Sequence, residues 1–278
     1  AKESPAWNVL WYSIWDENEK SIWPERFPKS RINEIKKEFA SVGNLNGFYQ
    51  EYMNIAQSPD MAPFKPEWIK MHHYDYKRID GQNCLVRTKG DEEEVKPVEI
   101  YCGVDPASSL SSTADFFAVA TIGVDFDNNK YIIDVFRDRI SPAEQPGKLI
   151  EIFKKFKPRR MKIETVGYQE ALRTAVRELM FKENLYIPGL EKGVKPRNRK
   201  SERLLSLVPL FAKGAFFFRP QDNIPQQEFL SYPRGKHDDV MDAVWTALDG
   251  ARPCRSQEYN KDSDYLKKPK KKLDWMTL

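Results

Sequence analysis

Three separated segments of the chain each place a carboxylate where an apolar stretch ends or a helical pattern begins. Asp105 follows the apolar run 100–104, Glu164 follows 161–163, and His-Asp-Asp-Val-Met-Asp-Ala opens a helical pattern at 237–243. Carboxylate oxygens supplied by several elements are the ligands that hard cations such as Mg²⁺ and Mn²⁺ prefer. The sequence therefore predicts an α/β fold in which strand ends and a helix start supply a metal site.

The composition is that of a globular protein. The 278 residues are 40% hydrophobic and 31% charged, and the length suits one large domain or two modest ones. No apolar run approaches the roughly 20 residues of a membrane span, and the first residues do not resemble a signal peptide. Cys84, Cys102 and Cys254 are widely spaced, so we expect neither a disulfide framework nor a structural zinc site, and a reducing compartment.

Basic residues are concentrated in two places, although the net charge is only +4. One group lies within twelve residues and comprises Lys192, Lys195, Arg197, Arg199, Lys200 and Arg203. The other is the run 267–272 near the end of the chain. Basic clusters beside a carboxylate site indicate a polyanionic partner; the alternative is a solvated loop and an unstructured tail.

The first 80 residues are predicted to form a small N-terminal helical and linker segment. A strand-like alternation at 11–15 precedes two helices, one capped by Ser30 and running through Phe39 and another at 47–56. This segment is too small for an independent core. The polar stretch 81–96 is interpreted as a boundary or exposed loop.

Residues 95–252 form a separate α/β pattern, and 253–278 a basic tail. The predicted elements are strands at 98–104, 116–124 and 131–137, a helix from Ser141, a strand at 161–165, a helix at 168–182, a strand at 185–190, a helix at 201–212, a strand at 215–218 and a helix at 238–250. This order is that of a ribonuclease H-like fold: a mixed central sheet whose first three strands are antiparallel, with helices on both faces.

Each carboxylate also has a purely structural interpretation. Asp105 could start an Asp-Pro turn, and Glu164 could cap the following helix. Asp238, Asp239 and Asp242 could satisfy free amides and the helix dipole. However, all three border the apolar arc of their helix, at spacings of three and four residues that bring side chains together, which is more than capping requires.

The segments together resemble the C-terminal nuclease region of the large terminase subunit of tailed double-stranded DNA phages, over about residues 95–252. The matching segments are Tyr101-Cys-Gly-Val-Asp105-Pro, Lys162-Ile-Glu164-Thr, Lys200-Ser-Glu-Arg203 and His237-Asp-Asp-Val-Met-Asp-Ala243. The resemblance implies that Asp105, Glu164 and Asp239 are catalytic and bind one or two Mg²⁺ or Mn²⁺ ions. Asp242 matches a further acid of Holliday-junction resolvases, and Asp238 is an adjacent candidate ligand.

The resemblance also implies partners. Residues 20–27 and 48–54 are similar to the segment that joins the terminase ATPase to its nuclease, but no phosphate-binding G-x-x-x-x-G-K-[ST] loop occurs. We therefore expect double-stranded DNA cleavage without ATP hydrolysis by this chain alone. Lys195, Arg197, Arg199, Lys200 and Arg203 are the candidate DNA-binding residues.

By the same resemblance, the expected partners are the terminase small subunit, the portal protein and the ATPase domain of the same polypeptide, with no membrane. The expected setting is the host cytoplasm, at the procapsid. Two alternatives stay open: a junction-resolvase-like or transposase-like nuclease, and a non-catalytic DNA-binding or docking module whose carboxylates only cap and solvate.

Overall fold

A computed structural model describes residues 12–16, 18–42, 44–54, 62–90, 92–107, 116–163, 169–190, 199–233 and 235–255. The helices in these ranges are α1 (Lys29–Ser41), α2 (Leu45–Glu51), α3 (Gln145–Phe156), α4 (Gln169–Lys182), α5 (Lys200–Leu205), α6 (Val208–Ala212), α7 (Asn223–Ser231) and α8 (Asp239–Leu248). The strands are β1 (Lys70–Met71), β2 (Asp75–Ile79), β3 (Gln82–Lys89), β4 (Glu92–Pro97), β5 (Glu99–Asp105), β6 (Phe117–Val124), β7 (Lys130–Asp138), β8 (Arg160–Ile163) and β9 (Phe216–Phe218). Of these helices, none has the length and apolar character needed to cross a membrane.

The centre of the fold is a six-stranded mixed sheet with the order β1-β9-β7-β6-β5-β8. Strands β5, β6 and β7 are antiparallel neighbours, whereas β8 is parallel to β5 and β9 is parallel to β7. Strand β6 is buried along its whole length, as expected for a strand covered on both faces. The predicted antiparallel meander within a mixed sheet is confirmed.

Helices cover both faces of this sheet, so the predicted three-layer arrangement is also confirmed. On one face, α3 and α4 contribute Leu149, Phe153 and Val176 to a cluster with the inward residues of β5, β6 and β8. On the other face, α5 to α8 and Phe64 build a second cluster that includes Phe211 and Val244. The candidate acids of α8 belong to this second face.

The N-terminal segment packs against α7. Helices α1 and α2 enclose a cluster containing Trp15 and Phe48, and Leu230 of α7 completes it. Buried Lys36 of α1 donates from Nζ to Asn223 Oδ1 (2.5 Å) and Gln226 Oε1 (2.9 Å), both on α7. Burial lowers the pKa of Lys36 to about 7, against the opposing charges of nearby acids. The segment is thus tied to α7 by polar as well as apolar contacts.

The local predictions for this segment are partly wrong. Ser30 does not cap a helix, because α1 already begins at Lys29 after the extended Pro28. The predicted strand at 11–15 contributes only an isolated bridge between Trp15 and Ser21 in the described residues. Helix α2 begins at Leu45, where the Asn44 side chain accepts a hydrogen bond from an amide of the first turn.

The polar stretch 81–96 is not a loop, and that prediction is wrong. It forms β3 and β4, which with β2 make a separate three-stranded antiparallel sheet. Arg87 of β3 and Glu94 of β4 are directly opposite, with Arg87 Nη2 2.6 Å from Glu94 Oε2. Lys77 of β2 reaches over β3 to β4, with its Nζ 2.9 Å from Glu93 Oε1. Such cross-strand pairs stabilise a strand whose composition is polar.

Three further boundaries differ from the predictions. Residues 185–190 form no strand and contain a turn at Pro188 and Gly189, because Pro188 has no amide hydrogen to donate and Gly189 adopts a φ of +95°. The predicted helix 201–212 is two short helices, α5 and α6, separated at Ser206 and Leu207. Helix α7 was not predicted at all.

Candidate active site

Asp105 is the last residue of β5 and lies on the face of the sheet covered by α8. It pairs in register with Ala118 of β6, which pairs with Arg137 of β7. Residues directly opposite one another in neighbouring strands project to the same face, so Asp105, Ala118 and Arg137 form a row across three strands. The small Ala118 separates the carboxylate from the guanidinium in this row.

Helix α8 approaches β5 so closely that their backbones touch. A Cβ added to Gly103 would lie 2.1 Å from the Ala243 carbonyl oxygen and 2.2 Å from the Ala247 amide nitrogen. Alternation along the strand places Gly103 on the same face as Asp105. Only glycine permits this contact.

The helix runs antiparallel to β5. Just beyond the end of α8, the backbone of Arg252 exchanges two 3.0 Å hydrogen bonds with the hydroxyl of Tyr101, near the start of β5. Arg160, at the start of β8, donates to the Asp249 carbonyl oxygen at 2.7 Å. The first turn of α8, which begins with Asp239, therefore lies toward the Asp105 end of the sheet.

Asp239 is buried, with only 2% of its surface exposed, and two potential cations face it. Its Oδ2 lies 3.9 Å from Arg137 Nε and 3.6 Å from His237 Nδ1. Phe116, immediately before β6, supports both groups: the Arg137 Cζ lies 3.5 Å from its ring centroid, and the His237 ring meets it edge-on at 5.0 Å. Arg137 thus connects the row of Asp105 to Asp239.

Glu228 of α7 caps α8 from outside. Its Oε2 accepts hydrogen bonds from the amides of Val240 (2.8 Å) and Met241 (3.3 Å), and its Oε1 lies 3.1 Å from Arg137 Nε. The N-cap residue itself, Asp238, makes no capping hydrogen bond through its side chain. Burial raises the pKa of Glu228, whereas the Arg137 guanidinium and the amides of Val240 and Met241 oppose that rise by favouring the charged carboxylate.

Asp238 and Asp242 share a different cation. Lys200 Nζ lies 2.8 Å from Asp238 Oδ1 and 2.6 Å from Asp242 Oδ2. Burial raises the pKa of Asp242 to about 6, although Lys200 pulls it down. Burial lowers the pKa of Lys200, but the two carboxylates outweigh it and the net direction is upward. Arg203 is also buried, and its guanidinium stacks 4.8 Å from the Trp245 ring on α8.

The remaining predicted residues divide into two groups. Arg199 is exposed at the start of α5. Glu164, Lys195 and Arg197 lie outside the described residues; Glu164 follows Ile163, the last residue of β8, which pairs in parallel with Val104.

The described carboxylates suit a hard cation in their chemistry, although they do not by themselves make a complete cage. Within the described ranges, no three His, Cys, Asp or Glu side chains are grouped closely enough to hold a metal ion. Asp242 Oδ1 is buried and has no hydrogen-bond partner among the residues described. Oxygen donors of this kind fit Mg²⁺ or Mn²⁺, and a complete coordination sphere requires further oxygen ligands.

Sequence reasoning missed Arg137 and Glu228. A signal existed for Arg137, since it follows Val135 at a spacing of two and so places a charge where the apolar alternation of the strand would continue. Glu228 had a weaker signal: Pro225 near a helix start, followed by an acid directly before the apolar Phe229 and Leu230. The unpredicted α7 concealed it.

Comparison with known proteins supports a family assignment. The family described as Terminase RNaseH-like domain matches residues 102–249. No curated protein matches the chain.

Similar solved structures include the large terminase nuclease of thermophilic phage G20c with bound magnesium, at 16% identity and a TM-score of 0.44, covering 68% of this chain and 97% of that one. The P22 large terminase nuclease domain matches at 16% identity and a TM-score of 0.41, covering 54% and 79%. The large terminase of another thermophilic bacteriophage, in complex with ATP-gamma-S, matches at 12% identity and a TM-score of 0.39, covering 53% and 38%.

The family match spans more than half of the chain and runs from the middle of β5 to the end of α8, the segment that carries Asp105, Glu164 and the acids of α8. The chain therefore belongs to the family of terminase RNase H-like domains.

Proposed function

We propose that this protein is a metal-dependent endonuclease that cleaves double-stranded DNA during viral genome packaging. Asp105, Glu164 and Asp239 are the proposed catalytic ligands of one or two Mg²⁺ or Mn²⁺ ions. The observation that carries the proposal is the convergence of Asp105 and the first turn of α8 on one edge and one face of the sheet.

A divalent cation bound there would lower the pKa of an attacking water and stabilise the leaving 3′ oxygen of the phosphodiester. Asp105 and Asp239 would supply anionic oxygens from a strand end and a helix start, two elements held together by backbone contact at Gly103. Asp239 is placed ahead of Asp238 and Asp242 because it is the acid that matches a metal ligand of the terminase nucleases in the sequence resemblance.

The DNA-binding role is assigned first to the basic residues that lead into α5. Arg199 is exposed, and the Lys200 side chain keeps about half of its surface open while holding the α8 acids. Lys195 and Arg197 precede them in sequence. Phosphate contacts of this kind are largely sequence-independent and weaken steeply with salt. Arg203 is assigned to packing on Trp245.

By its family, the chain is proposed to act in the host cytoplasm as part of the packaging machinery at the procapsid. The ATPase domain of the same polypeptide, the small subunit and the portal protein are its proposed partners. Selection of the cutting position is assigned to these partners, because phosphate contacts alone carry no sequence information.

The test is cleavage of supercoiled plasmid in Mg²⁺, Mn²⁺ or EDTA by the wild type and by Asp105→Asn and Asp239→Asn. We expect nicking and linearisation that depend on metal, and a loss of at least about 100-fold in each variant, because each removes an anionic ligand. Asp127→Asn, in an exposed turn between β6 and β7, is the matched control and retains activity.

Other outcomes separate the alternatives. Full activity in either active-site variant contradicts the assigned ligands. Strong preference for a four-way junction over linear duplex favours a resolvase-like enzyme. DNA binding that survives EDTA, with no cleavage under any metal, favours a non-catalytic module.

A further inference from the structure

We propose that Glu228 is a positioning residue for the metal centre, acting through the first turn of α8 and through Arg137 to keep the Asp239 carboxylate available to a divalent cation. This inference rests on the proposed function, since it assigns Asp239 to the metal. Glu228 belongs to α7, and its carboxylate contacts the backbone of α8 and the Arg137 guanidinium.

Glu228 holds the backbone at the point where α8 begins. The free amides at a helix N-terminus require acceptors, and here the acceptor is a carboxylate from another helix. Glu228 Oε2 holds the amides of the second and third residues of α8. These residues directly follow Asp239, so the position of Glu228 fixes the backbone from which the Asp239 side chain projects.

Glu228 also restrains the charge that faces Asp239. The Arg137 Nε lies 3.1 Å from Glu228 Oε1 but 3.9 Å from Asp239 Oδ2, so this nitrogen is nearer to Glu228. With a neutral side chain at 228, the attraction between Arg137 and Asp239 would no longer be balanced by a charge at 228, because a buried charge that loses a compensating partner is costly. Arg137 would then compete with the cation for Asp239.

The charge of Glu228 distinguishes this role from simple capping. A glutamine at 228 keeps an oxygen that accepts from the two amides, but it has no charge to hold Arg137. If Glu228 only caps α8, Glu228→Gln therefore leaves metal binding unchanged. If Glu228 also restrains Arg137, the same substitution weakens metal binding while leaving the helix in place.

The experiment measures Mn²⁺ binding by isothermal titration calorimetry, together with thermal unfolding and the Mn²⁺ dependence of plasmid cleavage. We expect Glu228→Gln to weaken Mn²⁺ binding by about tenfold, the lower end of what residues that orient metal ligands contribute. The Mn²⁺ concentration for half-maximal cleavage rises by the same factor. The cleavage rate at saturating Mn²⁺ changes less than the half-maximal concentration.

A double-mutant cycle tests whether the effect passes through Arg137. In an Arg137→Met background, adding Glu228→Gln is expected to have little further effect on Mn²⁺ affinity, because the competing guanidinium is already gone. Gln226→Ala is the matched control: it lies on the same helix and is also buried, but its side chain bonds to Lys36 of α1. It lowers thermal stability without changing Mn²⁺ affinity.

The outcomes separate this inference from the proposed function. Wild-type affinity for Mn²⁺ in Glu228→Gln, with metal-dependent cleavage intact, overturns the role of Glu228 and leaves the nuclease assignment standing. Weakened Mn²⁺ binding in Glu228→Gln, with a wild type that cleaves no DNA, supports the role of Glu228 and counts against the nuclease. A wild type that binds no Mn²⁺ overturns both. Equal weakening of Mn²⁺ binding by Gln226→Ala would mean that Glu228 contributes only to the general stability of the protein.

Discussion

Both faces of the central sheet are covered by apolar clusters, but they differ next to the candidate site. The face under α3 and α4 is filled by large apolar side chains such as Leu149, Phe153 and Phe156. The face under α8 has Gly103 and Ala118 where large side chains could stand, and it buries Asp239, Asp242 and Glu228. Both faces are held by apolar burial, the second through a cluster that includes Phe64, Phe211 and Phe229, but the second also brings a helix close enough for charged groups to meet. We therefore expect substitutions on the two faces to separate stability from activity.

The largest difference is expected from a pair of glycine substitutions. Gly103→Ala places a methyl group against the backbone of α8, whereas for Gly123→Ala, on the opposite face, the nearest atoms belong to the side chains of Ile133 (3.1 Å) and Val98 (3.4 Å). Displacing α8 by about 1 Å separates Asp239 from Asp105, and misplacement on that scale costs about 100-fold in rate. Plasmid cleavage at room temperature is the measurement. Equal activity in both variants would mean that the spacing of α8 does not govern the site.

Truncation of a large side chain on the face covered by α3 and α4 is expected to have the converse effect, which is a loss of stability without a loss of activity. Leu149→Ala removes a fully buried side chain of α3, and such changes lower the free energy of unfolding by about 2–5 kcal/mol. Urea denaturation measures that loss, while the cleavage rate of the folded protein at low temperature stays close to that of the wild type. A proportional loss of rate would show that the two faces are coupled.

The smallest expected effect concerns Asp242, on the face covered by α8, and is a change in how the stability of the protein depends on pH. Asp242 has a pKa raised from 3.8 to about 6 in the folded protein. Its contribution to stability is therefore fully present below about pH 4 and is lost as the pH rises through 6, since the folded state binds the proton more tightly. Over this window the wild type loses up to about 3 kcal/mol relative to Asp242→Asn, at about 1.4 kcal/mol per pKa unit.

Urea denaturation between about pH 4 and pH 7 measures that difference. Asp127→Asn, at an exposed position, is the control and gives a pH profile parallel to that of the wild type. Parallel profiles for the wild type and Asp242→Asn would contradict the raised pKa.

The order of elements and the mixed sheet were predictable because each depends on patterns local in sequence. The meander β5–β6–β7 is three apolar runs joined by turn signals, and the amphipathic arc of α8 points its acids to the core border. The polar hairpin β3–β4 was not predictable in this way. Its strands are stabilised by charges that meet only after pairing, such as Arg87 with Glu94, and strand pairing cannot be inferred from composition.

The residues of the candidate site divide in the same way into those that local sequence predicts and those that depend on distant contacts. Asp105 ends an apolar run, the acids 238, 239 and 242 open a helix, and the resemblance to terminase nucleases selects Asp239 among them. The structure places Asp105 and the first turn of α8 on one face of the sheet. Glu228 and Arg137 were missed because their importance depends on a contact between residues that lie far apart along the chain. Glu164, Lys195 and Arg197 stay predictions, since they lie outside the described residues.

Gly103 also determines how much the separation between β5 and α8 can vary at the site. Where two elements pack through side chains, their separation varies with rotamers and with substitutions of similar volume. At Gly103 the contact is backbone to backbone, so no rotamer change alters the separation between β5 and α8. The distance between the two halves of the site is thereby set by covalent geometry and hydrogen-bonded backbone, the parts of a protein that vary least with temperature and neighbouring sequence.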